Sequence, residues 1–187
     1  MCKWRFGLAL LLAALALPGC KARYQSDAIA PPAASAPYLL DSGDKLRIVV
    51  YDQANLSASY TVDGGGNISF PLIGTVRARG ISTQALAQTL AARLRAGFLR
   101  NPNVTVEIEA YRPFFILGEV RNPGQYPYVN GMTVQTAVAI AGGFSARARK
   151  DEVQVTRPVK DRVWVGRLKP TQQLRPGDTV NVEERFF

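Results

Sequence analysis

Residues 38–80 read YLLDSGDKLRIVVYDQANLSASYTVDGGGNISFPLIGTVRARG. A turn signal at Ser42-Gly43-Asp44 precedes an alternation that puts Leu46, Ile48 and Val50 on one face and Lys45, Arg47 and Tyr51 on the other, as a half-buried strand requires. At the start of that strand the Asp44 carboxylate is placed to accept local backbone hydrogen bonds. The run Asp63-Gly64-Gly65-Gly66-Asn67 leads into a second strand containing Ile68 and Phe70, and a hairpin that needs positive φ explains its glycines. It lacks the lysine and hydroxyl of a phosphate-cradling loop. Pro71 cannot donate to a β-ladder, so it belongs at an edge, a bulge or a strand end.

Downstream, Gly80 leads into a helix with Ser82 as N-cap, Ile81 stapling against Leu86, and Leu90 and Leu94 following at i+4 spacing. Gly97 and Pro102 close it, and Val104, Val106 and Ile108 alternate with Thr105, Glu107 and Glu109 in the next strand. Glu107 and Glu109 share a face, the arrangement of a two-carboxylate glycosidase. Period-two alternation reads that face as solvent-exposed instead.

Tyr111-Arg112-Pro113 interrupts the alternation and marks a boundary. Beyond it, the apolar run Phe114 to Leu117 predicts a buried strand that enters a turn at Asn122-Pro123-Gly124. A second turn at Asn130-Gly131 precedes a short helix capped by Thr133 and closed by Gly142-Gly143 in left-handed conformation. Val153 and Val155, then Val163 and Val165, flank Lys160-Asp161-Arg162 as a hairpin. Gly177-Asp178-Thr179-Val180-Asn181-Val182 echoes the Gly43-Asp44 turn and its alternating strand. The fold class expected is α+β: residues 38–110 as strands, a hairpin and one helix, and residues 111–187 as a β-grasp-like unit with a C-terminal strand.

The chain of 187 residues contains no histidine, which removes the commonest general base and metal ligand together. Its two cysteines, Cys2 and Cys20, cannot build a multi-cysteine zinc site. No metal, cofactor or catalytic residue is therefore expected, and an enzyme is disfavoured. The net charge of +9 is spread along the chain, with no dense Lys/Arg face of the kind that nucleic-acid binding needs. Arg147, Arg149 and Lys150, with Arg157, Lys160 and Arg162, are candidate contacts for an anionic glycan or lipid headgroup, set against a solvated hairpin surface.

Upstream, Lys3 and Arg5 form a positive n-region and Phe6 to Ala16 an apolar h-region too short for a membrane span of about 20 residues, so 1–19 reads as a signal peptide. Leu17-Pro18-Gly19-Cys20 resembles a bacterial lipobox, differing at Pro18, and implies acylation of Cys20. The alternative is an ordinary signal peptide cleaved elsewhere. Residues 20–37 are rich in Ala, Pro and Ser and read as a tether. Lys21 follows the cysteine, which by resemblance to bacterial sorting implies the outer membrane, facing the periplasm.

Tyr38, Gly43-Asp44-Lys45-Leu46-Arg47-Ile48, Gly66-Asn67-Ile68, Pro71-Leu72-Ile73-Gly74-Thr75-Val76 and Gly80 resemble the N-terminal export signature of the bacterial outer-membrane polysaccharide export (Wza-like) lipoproteins. Gly118-Glu119-Val120, Pro123-Gly124-Gln125-Tyr126, Gly131-Met132-Thr133-Val134 and Ala141-Gly142-Gly143 resemble that family's soluble-ligand-binding β-grasp domain. The resemblance implies a non-enzymatic, ring-forming homo-oligomer that passes an exopolysaccharide chain from an inner-membrane polysaccharide copolymerase. Gly43, Asp44, Pro71, Gly74, Gly118, Pro123, Gly124, Gly142 and Gly143 would shape its assembly surfaces. Longer members add a pore-lining C-terminal helix, whereas Glu183-Glu184-Arg185-Phe186-Phe187 offers no such run, so a self-made channel is not expected. The rival reading is a periplasmic module that binds a small ligand or cell-wall glycan without a conduit.

Overall fold

Alternation in Lys45–Val50 (β1) buries Leu46, Ile48 and Val50 and turns Lys45, Arg47 and Val49 outward, as its period-two pattern requires. In the computed structural model, which describes residues 37–159 and 162–185, β1 is the centre of an antiparallel sheet of order β2-β1-β5. Its neighbours are Ala58–Thr61 (β2), reached through a 3-10 turn at Ala54–Leu56, and Val104–Ala110 (β5). β2 was not expected, because Ala-Ser-Tyr-Thr carries no apolar alternation and the strand lies mostly exposed at the sheet edge.

The glycine run departs from expectation in a second way. Asn67–Phe70 (β3) pairs with Gly74–Arg77 (β4) as a separate two-stranded ribbon, so the hairpin turns at Pro71-Leu72-Ile73 and not at the glycines. Asp63 to Asn67 is instead a tight connector, closed by Gly66 N–H to the Asp63 carbonyl at 2.9 Å and Asn67 N–H to the Asp63 carboxylate at 2.8 Å. Pro71 follows the last residue of β3, at a strand end where its missing N–H costs nothing.

Thr83–Arg95 (α1) starts where Ser82 Oγ accepts the Ala85 N–H at 3.2 Å, and its Leu86, Leu90 and Leu94 are fully buried. Each of these leucines contributes about 2 kcal/mol by leaving water. Gly97 is not a left-handed cap. The helix ends through Ala96 in right-handed geometry, with the N–H groups of Phe98 and Leu99 both directed at the Leu94 carbonyl. The core of this half joins β1, β3, β4 and α1 through Leu46, Ile48, Ile68, Phe70, Val76 and the three leucines.

The second half is a five-stranded mixed sheet of order β7-β6-β10-β8-β9. Its members are Phe114–Gly118 (β6), Gly124–Tyr126 (β7), Val153–Val159 (β8), Arg162–Leu168 (β9) and Thr179–Val182 (β10), with β6 and β10 parallel and the other pairs antiparallel. Val134–Ile140 (α2) packs Val134, Ala137 and Val138 against Phe114, Ile116, Val155, Val180 and Val182. Thr133 caps it by accepting the Thr136 N–H, and its C-terminus passes through Gly142 and Gly143, both at positive φ.

The apolar run Phe114 to Leu117 is buried on one face only. Phe114 and Ile116 point to α2, while Phe115 and Leu117 stand about two-fifths exposed on the opposite face. A continuous apolar run suits a strand covered on both sides, and here α2 covers only one. The architecture is α+β, with two cores that share Pro37–Phe187 as one compact unit.

Candidate functional site

Two turns of the same design meet where the cores join. In Ser42-Gly43-Asp44 and Pro176-Gly177-Asp178 the glycine holds positive φ, 90° and 82°, where an L side chain costs about 1–2 kcal/mol. Each aspartate N–H donates back three residues, Asp44 to Asp41 at 3.2 Å and Asp178 to Arg175 at 3.1 Å. Each carboxylate in turn accepts the N–H of that same residue, at 2.9 Å from Asp41 and 2.7 Å from Arg175. The echo noted in the sequence is therefore one structural device used twice, and both aspartates are fully buried.

Arg112 lies between the two turns. Its main-chain N–H donates to Asp44 Oδ1 at 3.1 Å, its Nε donates to the Pro176 carbonyl at 3.0 Å, and its Nη1 lies 3.3 Å from Asp41 Oδ2. A Cβ on Gly177 would come within 2.6 Å of Arg112 Nε, so the absent side chain makes room for the guanidinium. Asp178 is held from the other side by Arg157, whose Nε and Nη2 reach its two oxygens at 2.8 and 2.7 Å in the fork geometry that favours arginine.

Tyr38 completes the junction. Its hydroxyl donates to the Asp44 carboxylate at 2.8 Å, and burial, followed by the neighbouring Asp44 charge, pushes its pKa well above the ordinary tyrosine value, so the phenol stays protonated. Its ring meets Tyr111 edge-on at 5.0 Å, and Tyr111 meets Tyr128 edge-on at 5.5 Å, a ladder that runs from one core into the other. Tyr128 donates to the Leu174 carbonyl at 3.0 Å, and burial raises its pKa also. Asp44 and Asp178 are thus taken up by turn N–H groups, a phenol and guanidinium groups, an arrangement suited to fixing two cores and not to moving protons.

The remaining expected positions gather in part. Gly118, Pro123, Gly124, Gly142 and Gly143 converge on one corner, where Arg121 N–H donates to the Gly143 carbonyl, Asn122 N–H donates to Ala141, and Val120 bridges to Phe144. Gly118 is forced by contact: a Cβ there would lie 2.2 Å from the Val182 carbonyl oxygen on the parallel neighbour β10. Pro71 and Gly74 lie apart from these, at the tip of the β3–β4 ribbon. Cys20 and the tether up to residue 36 are outside the described residues, as are Lys160, Asp161, Phe186 and Phe187.

The expected basic rim is built differently. Arg147 faces Glu119 and Glu184, at 3.7 and 3.3 Å, and Arg149 faces Glu152 and Glu183, at 3.2 and 3.1 Å. Arg167 joins the same Glu152 and Glu183, around an open cleft of about 480 Å³ beside Gly118 and Val182. Arg147 and Arg149 are therefore balanced by carboxylates, most of them distant in sequence, and of Arg147, Arg149 and Lys150 only Lys150 stands exposed with no ion pair among the described residues. Arg157 belongs to Asp178 and not to a shared rim. Glu109 is bonded to Lys45 at 2.7 Å and to Ser59, and these hydrogen bonds hold its pKa below the usual carboxylate value. Glu107 lies on the exposed face of the same strand.

Sequence reading missed Arg112 as anything beyond a boundary marker, and it missed Trp164. The repeated Gly-Asp pair was the one available signal for the junction.

The polysaccharide biosynthesis/export protein family matches residues 32–109, and the SLBB domain matches residues 113–167. The exopolysaccharide production protein ExoF of Rhizobium meliloti is 34% identical over 199 aligned positions, covering 94% of this chain and 45% of that protein. The EPS I polysaccharide export outer membrane protein EpsA of Ralstonia solanacearum is 31% identical over 189 positions, covering 82% and 49%. The polysialic acid transport protein KpsD of Escherichia coli is 27% identical over 159 positions, covering 79% and 28%. The chain spans about half the length, or less, of these curated relatives. The family is one of transport components and not of enzymes. With an export domain and an SLBB domain in consecutive order over most of its length, the chain belongs to the polysaccharide biosynthesis/export protein family.

Proposed function

We propose that this protein is a lipid-anchored periplasmic component of an outer-membrane exopolysaccharide or capsule export apparatus, which guides polymer from inner-membrane machinery to the outer membrane. The observation that carries the reading is the consecutive match to an export domain and an SLBB domain, together with relatives named for exopolysaccharide production, polysaccharide export and polysialic acid transport. The location follows the relative named as an outer membrane protein. In this reading residues 38–110 are the export domain and 111–187 the SLBB domain, a division supported by the two separate cores and by Arg112 at their junction. Acylated Cys20 would supply the lipid anchor, a ring of identical chains the conduit, and an inner-membrane copolymerase the polymer. Among the described residues no helix is long and apolar enough to cross a membrane.

The test is a chromosomal deletion. Intracellular polymer should persist while surface polymer disappears, and normal secretion from the deletion strain would defeat the reading. Labelling with radioactive palmitate, compared between the native chain and Cys20→Ser, tests the anchor. Electron microscopy of the protein extracted from membranes tests the ring, since a particle of single-chain size would leave the periplasmic binding module as the better account.

A further inference from the structure

At the far end of the β8–β9 hairpin, Trp164 lies directly across from Arg157. The indole rests over Gly166, two residues along its own strand, where a Cβ would come within 2.1 Å of the ring, so the missing side chain is what lets the ring lie down. The Arg157 guanidinium carbon is 5.4 Å from the ring centroid, and because Arg157 is forked onto buried Asp178 it fixes the indole on a rigid support. Trp164 is nonetheless 41% exposed, and its indole N–H donates to no acceptor among the described residues.

Around it lies a cleft of about 430 Å³, lined by Arg157, Val159, Arg162, Val163, Trp164 and Arg175. That volume falls in the range of small-ligand sites, roughly 300–1,000 Å³. Arg162 and Arg175 are exposed and have no ion pair among the described residues, in contrast to Arg147, Arg149 and Arg167 at the carboxylate-rich corner. A flat aromatic surface suits the apolar C–H face of a pyranose ring, the indole N–H suits a hydroxyl, and two guanidinium forks suit carboxylates.

We propose that the Trp164 cleft is a binding subsite for an acidic glycan segment, one whose sugars carry carboxylates. This rests on the export reading and adds to it the chemical class of polymer and the place where the chain would hold it. A lipid surface fits less well, because the aromatic and its cations line a recess and Arg157 is tied down by Asp178.

The test uses the full chain carrying Trp4→Phe, which leaves Trp164 as the only tryptophan. Oligogalacturonate should shift its fluorescence saturably and more weakly as salt rises, and a neutral malto-oligosaccharide of equal length should not. By calorimetry, Arg162→Gln/Arg175→Gln should weaken oligogalacturonate binding at least tenfold and Trp164→Ala should abolish it. The double arginine variant changes only exposed side chains, so it keeps the test open if Trp164→Ala fails to fold. Absence of saturable binding, equal binding of the neutral sugar, or unchanged affinity in the arginine variant would overturn the proposal. Binding to phosphatidylglycerol vesicles without binding to the sugar would overturn it in favour of a membrane contact. A deletion strain that loses export while the arginine variant binds normally removes the subsite alone, whereas normal export from the deletion strain removes the reading beneath it.

Discussion

The main-chain N–H of Arg112 donates to Oδ1 of Asp44 at 3.1 Å, across 68 residues of chain. Through this bond the first residues of the second half are fixed to the turn that opens β1, and the side chain of the same arginine reaches the opposite turn at Pro176. Arg112→Ala keeps the main-chain bond and removes the guanidinium, leaving the Pro176 carbonyl without that donor and Asp41 with Arg79 as its remaining cation. Equilibrium denaturation should show a loss of about 2 kcal/mol, the scale for leaving a buried polar group unsatisfied. Arg112→Lys should recover only part, since an ammonium lacks the fork. A loss below about 0.5 kcal/mol, the size of an ordinary surface substitution, would show that the junction does not depend on Arg112.

Tyr38 makes stability depend on alkaline pH. Its folded pKa lies above the ordinary value of 10.0, so above that pH the unfolded chain releases a proton that the folded chain keeps. The stabilisation is full below about pH 10 and declines as pH rises further, by about 1.4 kcal/mol per pH unit for one proton. Tyr60 and Tyr128 are raised in the same sense, so Tyr38→Phe should reduce the alkaline slope without removing it. Urea midpoints from pH 9 to 11 measure this, and an unchanged slope in the variant counts against the Tyr38–Asp44 bond.

Gly118→Ala places a methyl group 2.2 Å from a main-chain carbonyl at a residue of positive φ. The β6–β10 pair must separate to admit it, at a cost of about 2–4 kcal/mol for combined backbone strain and overpacking. A melting temperature equal to that of the native protein would contradict this geometry.

Leu72 stands at φ 68° at the tip of the β3–β4 ribbon with its side chain more than half exposed. Left-handed backbone costs leucine about 1–2 kcal/mol, while the greater chain entropy of glycine costs about 0.5–1 kcal/mol. Leu72→Gly should therefore leave stability unchanged or raise it slightly. A lowered urea midpoint would mean that the leucine packs within the folded chain.

By itself the sequence determined what depends on near neighbours. The buried face of β1, the Ser82 and Thr133 caps, the Leu86-Leu90-Leu94 stripe and the glycine end of α2 all follow from periods of two or 3.6 and from caps within three residues. The motif residues that carried the family resemblance are largely the turn and contact residues of that same local grammar.

Tertiary structure decided what depends on distant partners. β2 exists because the edge of β1 takes a strand with no apolar pattern of its own, and β6 is half exposed because one helix covers one face. Arg147 and Arg149 read as a positive rim until Glu183 and Glu184, more than 30 residues away, fold against them. Arg112 shows the limit most plainly. Nothing near it in the chain distinguishes it, because both turns it joins lie more than 60 residues away, and only the packing of two cores brings their carboxylate and carbonyl to its donors.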